Sequence, residues 1–149
     1  MATNQTQHYG LNQWELSDSV VMEEFNEDNR KIDAALHNIL SAIPRIHAGT
    51  YTGTGTYGAD NPNTLTFEFA PKLVFINCVL EGGEGANGND HYIMIAVHGT
   101  PKTYITYWSG SSCATVNLLW GDTSLSWYGS SAQKQGNWKN AVYRYIAIG

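Results

Sequence analysis

Charged residues are scarce in this sequence, and the basic ones form no cluster. Asp, Glu, Lys and Arg make up 14% of the 149 residues, against roughly 25% in an ordinary soluble domain. Only eight residues are Lys or Arg, and their dispersal argues against nucleic acid or an anionic membrane as a partner. The acids concentrate before residue 47, where seven of them accompany three bases. So few charges suit an oligomer, in which subunits cover part of one another's surface.

Long apolar runs and cysteines are scarce as well. No stretch approaches the roughly 18 apolar residues of a membrane span, so we expect no membrane insertion. The N-terminus has no basic region followed by an apolar run, so we expect no signal peptide and synthesis in a cytoplasm. For Cys78 and Cys113 we expect two buried thiols rather than a disulfide. Ligand spacing for zinc is missing, and we expect no metal and no cofactor.

Catalytic motifs are also missing. The sequence has no Gly-x-Ser-x-Gly nucleophile elbow, and most acids after residue 46 fall in predicted turns, where carboxylates are normally solvated. Residues 81–90 offer oxygen ligands of the kind that Ca²⁺ prefers but not the EF-hand pattern, and we interpret them as a solvated loop. We predict a protein that is not an enzyme. A hydrolase of surface polysaccharide, with paired carboxylates about 5–10 Å apart, is the less favoured alternative.

What the sequence does contain begins with a helical period between Ser17 and Pro44. Ser17 or Asp18 can cap the helix, and Pro44 ends it near residue 43. Apolar residues recur at steps of four and three, with Asp28 at one of these positions. The stripe either packs against the rest of the chain or forms a coiled-coil seam with other copies, and spacing alone leaves both open. The predicted seam residues are Val21, Phe25, Ile32, Ala35, Leu36 and Ile39.

After Pro44 the apolar period changes from helical to two. Eight segments indicate strands, and clusters of Gly, Asn, Asp, Ser and Pro separate them. They are residues 47–57, 64–69, 73–80, 92–98, 103–108, 114–120, 125–128 and 141–148. Many short strands without an intervening helix predict an antiparallel β-sandwich. The expected organisation is therefore mainly β with an N-terminal α-helix. Residues 1–46 form an extended segment and a trimerisation helix, and residues 47–149 form a sandwich.

Two parts of the chain carry a family resemblance. Residues 9–15 (YGLNQWE) and 25–36 (FNEDNRKIDAAL) resemble the shaft segment of tail-fibre, receptor-binding proteins from phages and prophages of Gram-positive bacteria. Residues 49–53, 69–74, 127–128 and 145–149 are similar to the tip domain that often follows. The resemblance implies a homotrimer with a coiled-coil helix, attached to upstream tail or baseplate proteins in a virion tail or phage-like particle. Residues 81–90 and 129–140 match no family pattern, so no receptor specificity follows.

Aromatic side chains beside polar turns are the candidates for receptor contact. Sugar faces stack on exposed aromatic rings, while Asp, Asn and His bind the hydroxyl groups. The candidate residues are Asp90, His91, Trp108, Trp120, Asp122, Asn137 and Trp138. We interpret Trp127 and Tyr128 as core residues. The expected function is binding of a bacterial surface receptor, a glycan above all. The alternative is a purely structural fibre or baseplate component, whose aromatic residues should be buried.

Overall fold

The computed structural model describes residues 1–79, 91–107 and 112–149. It divides the chain into two compact units, Met1–Pro44 and Arg45–Gly149. The expected mainly β architecture with an N-terminal helix is confirmed. Within the described ranges, no helix has the length and apolarity needed to cross a membrane.

The first unit consists of a short ladder and a long helix. Strands β1 (Asn4–Gln5) and β2 (Asn12–Gln13) pair antiparallel, and α1 extends over Met22–Ala42. The expected end of the helix is confirmed, because Ile43 is extended before Pro44, as the steric demand of proline requires.

The predicted start of the helix is wrong, because Asp18 serves the N-terminal segment instead of capping α1. Its carboxylate accepts hydrogen bonds from the Thr3 N–H at 2.9 Å, the Thr3 hydroxyl at 2.6 Å and the Glu15 N–H at 2.9 Å. These bonds, the Thr3 hydroxyl above all, hold the pKa of Asp18 below its ordinary value. The helix therefore begins at Met22, after Val21 in an extended conformation.

The described residues of the second unit form eight strands and one short helix. They are β3 (Ile46–Thr52), β4 (Asn63–Thr66), β5 (Leu73–Val79), β6 (His91–Val97), β7 (Lys102–Tyr107), β8 (Ser112–Trp120), β9 (Ser124–Tyr128), α2 (Ala132–Gln135) and β10 (Val142–Ile148). All paired strands are antiparallel, in the order β3-β10-β5-β6-β7-β8-β9-β4. The predicted strand 47–57 ends at Thr52, because residues 53–62 leave the ladder.

These strands form one continuous sheet that curls on itself, not the two separate sheets of the expected sandwich. Five strands separate β3 from β9 in the pairing order. Even so, the ring of Tyr51 on β3 meets Trp127 on β9 edge to face, with centroids 5.8 Å apart. The curl thus lets the two halves of one sheet cover each other's inner face.

Alternate residues of each strand fill the core inside the curl. Trp127, Tyr92 and Tyr143 are fully buried, which confirms Trp127 as a core residue. Tyr143 stacks on Tyr51 at 4.8 Å and meets Tyr92 edge to face at 5.6 Å. Burial of the phenols raises the pKa of all three tyrosines in this group.

The two cysteines occupy opposite faces of the sheet. Both are free thiols, so the expected lack of a disulfide is confirmed. Cys78 is buried, but Cys113 is exposed, which corrects the expectation of two buried thiols. The reason is strand parity, since Ala114 packs against the core and its neighbour Cys113 must point outward.

The sheet has two distinct ends, because successive antiparallel strands alternate in direction. We call the end at which β3 begins the near end and the opposite end the far end. The turns that follow β4, β6 and β8 lie at the near end, where the His47 and Phe67 rings are 6.0 Å apart. The segments that follow β3 and β9 lie at the far end, where Tyr51 meets Trp127.

Candidate functional site

The predicted receptor-binding residues do not form one site. Trp120 and Asp122 lie at the near end, at the turn between β8 and β9. His91 begins β6 at the far end, and Asn137 and Trp138 lie between α2 and β10 at that same end. Asp90 and Trp108 lie outside the described residues. The candidates lie at both ends because each strand carries the chain from one end of the sheet to the other.

Trp120 packs against the turn between β6 and β7 and is not fully exposed to solvent. It is half-buried, and its indole N–H donates to the Thr100 carbonyl at 3.1 Å. The His98 ring packs against it with centroids 5.0 Å apart. Asp122 beside it is exposed. The indole thus already has a structural role at the near end.

Asn137, one of the predicted receptor contacts, is buried and has a structural role. It is only 3% exposed. Its Oδ1 accepts from the Thr54 N–H at 2.9 Å, and its Nδ2 donates to the Thr56 carbonyl at 2.8 Å. A buried amide needs such partners, since an unsatisfied one costs about 1–3 kcal/mol. Trp138 is half-buried against the core, and its backbone N–H donates to the Tyr143 hydroxyl at 3.1 Å.

Gln135 is a second buried amide, which was not among the predicted site residues. It is fully buried, and its Oε1 accepts from the N–H groups of Gly58 and Gly129 at 2.9 and 3.1 Å. Its Nε2 donates to the Asn61 carbonyl at 2.7 Å. Gln135 and Asn137 together fix the segment after β3 to the segment after β9.

The short helix α2 places these amides. Ser131 caps it by accepting from the Lys134 N–H at 3.3 Å, and Gly136 ends it with φ of 65°. A Cβ on Gly136 would lie 2.6 Å from the Tyr92 ring, so the position needs glycine. Ser131 and Gly136 are an ordinary start signal and stop signal for a helix, and they are the clue in the sequence that was missed.

A cleft of about 290 Å³ opens at the far end between the edge strands β3 and β4. Uncharged side chains dominate it, and the described residues supply no carboxylate to its lining. Its principal lining residues are Tyr51, Thr54, Thr56, Asn63, Thr64 and Trp127. Most of these hydroxyl and amide groups already have partners within the fold, as the Tyr51 hydroxyl does in donating to the Gly136 carbonyl at 2.8 Å. Hydroxyl and amide oxygens have further lone pairs, which can accept hydrogen bonds from a neutral polyhydroxylated ligand.

The helix α1 carries the second candidate surface, an apolar face left open in the single chain. Phe25, Ile32, Leu36 and Ile39 are 54%, 43%, 56% and 50% exposed. These are four of the six predicted seam residues. Val21 and Ala35 are half-buried.

The N-terminal segment covers the side of α1 that holds Asp28. Asp28 is 7% exposed, and its carboxylate accepts from the Asn12 N–H at 2.9 Å, with Lys31 Nζ 3.8 Å away. The exposed apolar face of α1 therefore lies at a different angle around the helix axis from the predicted stripe, which included Asp28. Its positions are Met22, Phe25, Asn29, Ile32, Leu36, Ile39 and Ile43, all exposed, and they repeat at alternating steps of three and four.

Comparison of the chain with protein-family models, curated proteins and solved structures found no match. Among the described residues, no group of three or more His, Cys, Asp or Glu side chains is arranged to hold a metal ion.

Proposed function

We propose that this chain is the trimeric attachment protein of a phage tail or phage-like particle. In this proposal α1 joins three copies as a coiled coil, and the far end of each β-unit contacts a glycan or other receptor on the bacterial surface. The observation that carries the proposal is the open face of α1, whose positions follow a heptad repeat. A surface helix of a monomer normally turns such a face to its own core.

The burial of Asp28 supports the coiled coil. In the predicted seam this carboxylate would enter the contact between helices, where an unpaired charge is strongly unfavourable. In the folded first unit, Asn12 binds Asp28 on another side of α1. Asn29 then becomes the polar residue of the seam, and a single asparagine at such a position selects register and oligomeric state in coiled coils.

The cleft supports the contact with a glycan. Its hydroxyl and amide groups suit a neutral sugar, and its position between two edge strands leaves it open to a long polymer. A single small cleft of this kind binds weakly, so three copies on one polymer would supply the affinity.

Cell binding by a matched pair of variants tests the role of the cleft. Asn61 is exposed and lines the cleft, whereas Ala59 is exposed two residues earlier in the same segment and is not among the lining residues. We expect Asn61→Arg to reduce binding to host cells at least tenfold, because the long side chain obstructs the cleft. Ala59→Arg should bind as the unchanged protein does. Equal binding by both variants, at unchanged mass, would show that the receptor site lies elsewhere.

A purely structural role is the second candidate, and the packing of the tryptophans favours it. Trp127 is fully buried, and Trp120 and Trp138 are half-buried with hydrogen bonds to the protein. This candidate predicts that the folded, correctly assembled protein binds no host cells, with or without the arginine substitutions.

A further inference from the structure

Part of the outer face of the curled sheet has the ordinary character of a solvated surface. On β4 and β9 the outward residues are Thr64, Thr66, Ser124 and Ser126, with Tyr128 at the far end, whereas the inward Leu65, Leu125 and Trp127 are buried. An antiparallel sheet with one wet face shows this alternation. These strands provide an internal standard for the rest of the sheet.

The outer face of β3, β10, β5 and β6 departs from that standard in its near half. Two rows of apolar residues cross the four strands there, each residue paired with the next. The first row is Ile46, Ile148, Leu73 and Val97. The second row is Ala48, Ile146, Phe75 and Ile95. We call these eight residues the apolar face.

The apolar face is open to solvent in the single chain and has a clear border. Ile46, Val97, Ile95 and Ile146 are 67%, 50%, 49% and 45% exposed. The next row towards the far end begins with Thr50, which pairs with Arg144. On the other side the face continues onto β7 with Tyr104, which is 79% exposed.

We propose that the apolar face packs against the β-unit of a neighbouring copy of this chain. The inference rests on the proposed trimer and adds a second contact to it. Seven of these eight side chains are aliphatic, the eighth is Phe75, and none carries a charge or a hydroxyl group that could hydrogen-bond a sugar. Contacts between subunits typically bury an apolar surface of this kind, bordered by polar residues.

The size of the face favours a tethered copy over a free partner. Two rows across four strands cover on the order of 300 Å², whereas a stable complex of free proteins buries about 800 Å² on each partner. Copies already joined through α1 can form a second contact that buries less area, because that contact forms at a high effective concentration. In sequence the face begins at Ile46, three residues after Ile43, the last residue of the open helix face.

Hydroxyl-radical footprinting of the full chain, read by mass spectrometry, tests the proposal. The comparison is between the unchanged protein and the double variant Ile32→Asp, Ile39→Asp. We expect Tyr104, Ile95 and Val97 to be labelled severalfold less in the unchanged protein than in the dissociated variant. Leu119 and Tyr57, which are 54% and 53% exposed and lie outside the face, serve as controls and should be labelled equally in both.

The outcomes separate the two proposals. A trimer with Tyr104 and Ile95 labelled as strongly as in the variant would overturn the contact between β-units and leave the coiled coil standing. An unchanged protein with the mass of one chain would overturn the coiled coil and this contact together. A double variant that stays trimeric, with the face still protected, would support the contact and overturn the helical seam.

A second pair of variants tests the same contact through stability. Ile95→Lys should lower the melting temperature of the trimer by several degrees and leave that of the dissociated variant nearly unchanged. Thr64→Lys is the control, since Thr64 is exposed on the solvated outer face of β4. An equal shift for Ile95→Lys in the trimeric and dissociated backgrounds would overturn the proposal.

Discussion

At the scale of single residues, the far end depends on two buried amides, Gln135 and Asn137. Each side-chain amide both donates to and accepts from backbone groups of the segment after β3. These bonds replace the strand-to-strand hydrogen bonds that this segment loses when it leaves the sheet. Polar side chains in loops are usually solvated, and these two are exceptions because α2 turns them inward.

The first prediction concerns Gln135. Gln135→Ala leaves the N–H groups of Gly58 and Gly129 and the Asn61 carbonyl without their partner, and each buried unsatisfied group costs about 1–3 kcal/mol. We expect the free energy of unfolding to fall by about 3 kcal/mol in denaturant titration. Gln133→Ala, in the same helix and half-buried, should change it by less than about 1 kcal/mol. Similar losses for both variants would contradict the structural role of Gln135.

The second prediction concerns the two thiols. Burial raises the pKa of Cys78 to about 11, and its thiol donates to the Val142 carbonyl at 3.0 Å. Because the thiolate is the reactive form, titration at pH 8 without reductant should find Cys113 reacting quickly and Cys78 only on unfolding. Cys113→Ser should remove the fast phase alone. No reactive thiol in the unfolded protein would mean that the two cysteines are bridged.

At the scale of elements, α1 follows the predicted period, but two of its carboxylates have partners that periodicity did not predict. Periodicity predicted the helix, its end at Pro44 and an apolar stripe, but it placed Asp28 on that stripe and the start of the helix at Ser17 or Asp18. Both differences have one cause. The partners of these carboxylates, Asn12 and Thr3, are 16 and 15 residues away in the chain, beyond the reach of any local pattern.

The third prediction tests the seam. Ile32→Asp together with Ile39→Asp should convert the assembly to single chains of 16.4 kDa in light scattering, because the charges would enter an apolar contact. Asn26→Asp with His37→Asp places two acids at exposed positions of α1 outside the open face and should leave a mass of three chains. If the first pair also leaves mass and melting temperature unchanged, the face of α1 is not a subunit contact.

The sheet shows a similar limit of sequence reasoning. Alternation located the eight strands well, since each strand carries its own period of two. It could not show that the strands join into one sheet, because the closure depends on contacts such as Tyr51 with Trp127, 76 positions apart in the chain. Nor could it separate Trp120 from Trp138, which look alike in sequence and lie at opposite ends of the sheet.

At the scale of the whole molecule, the proposed roles divide between the two ends of the β-unit. The apolar face belongs to the near half of the sheet, and the uncharged cleft opens at the far end. Contact between copies and contact with a receptor would then use different surfaces and would not compete.

The fourth prediction concerns the number of clefts that act together. The seam variant Ile32→Asp, Ile39→Asp keeps the cleft but should bind host cells at least about a hundredfold more weakly than the trimer, since simultaneous engagement multiplies weak affinities. The Asn26→Asp, His37→Asp variant is again the control. Equal cell binding by dissociated and trimeric protein would show that each chain binds on its own.

The position of β3 has a mechanical consequence for the attachment role proposed above. The chain reaches the β-unit at Ile46, and seven residue pairs join β3 to β10 along its whole length. A pull on Ile46 against a far end held by its ligand acts parallel to the strand, so all seven pairs bear load at once. A pull from Thr52 would instead peel β3 away one pair at a time. Single-molecule stretching should therefore find the β-unit much stronger when force enters at Ile46 than when it enters at Thr52.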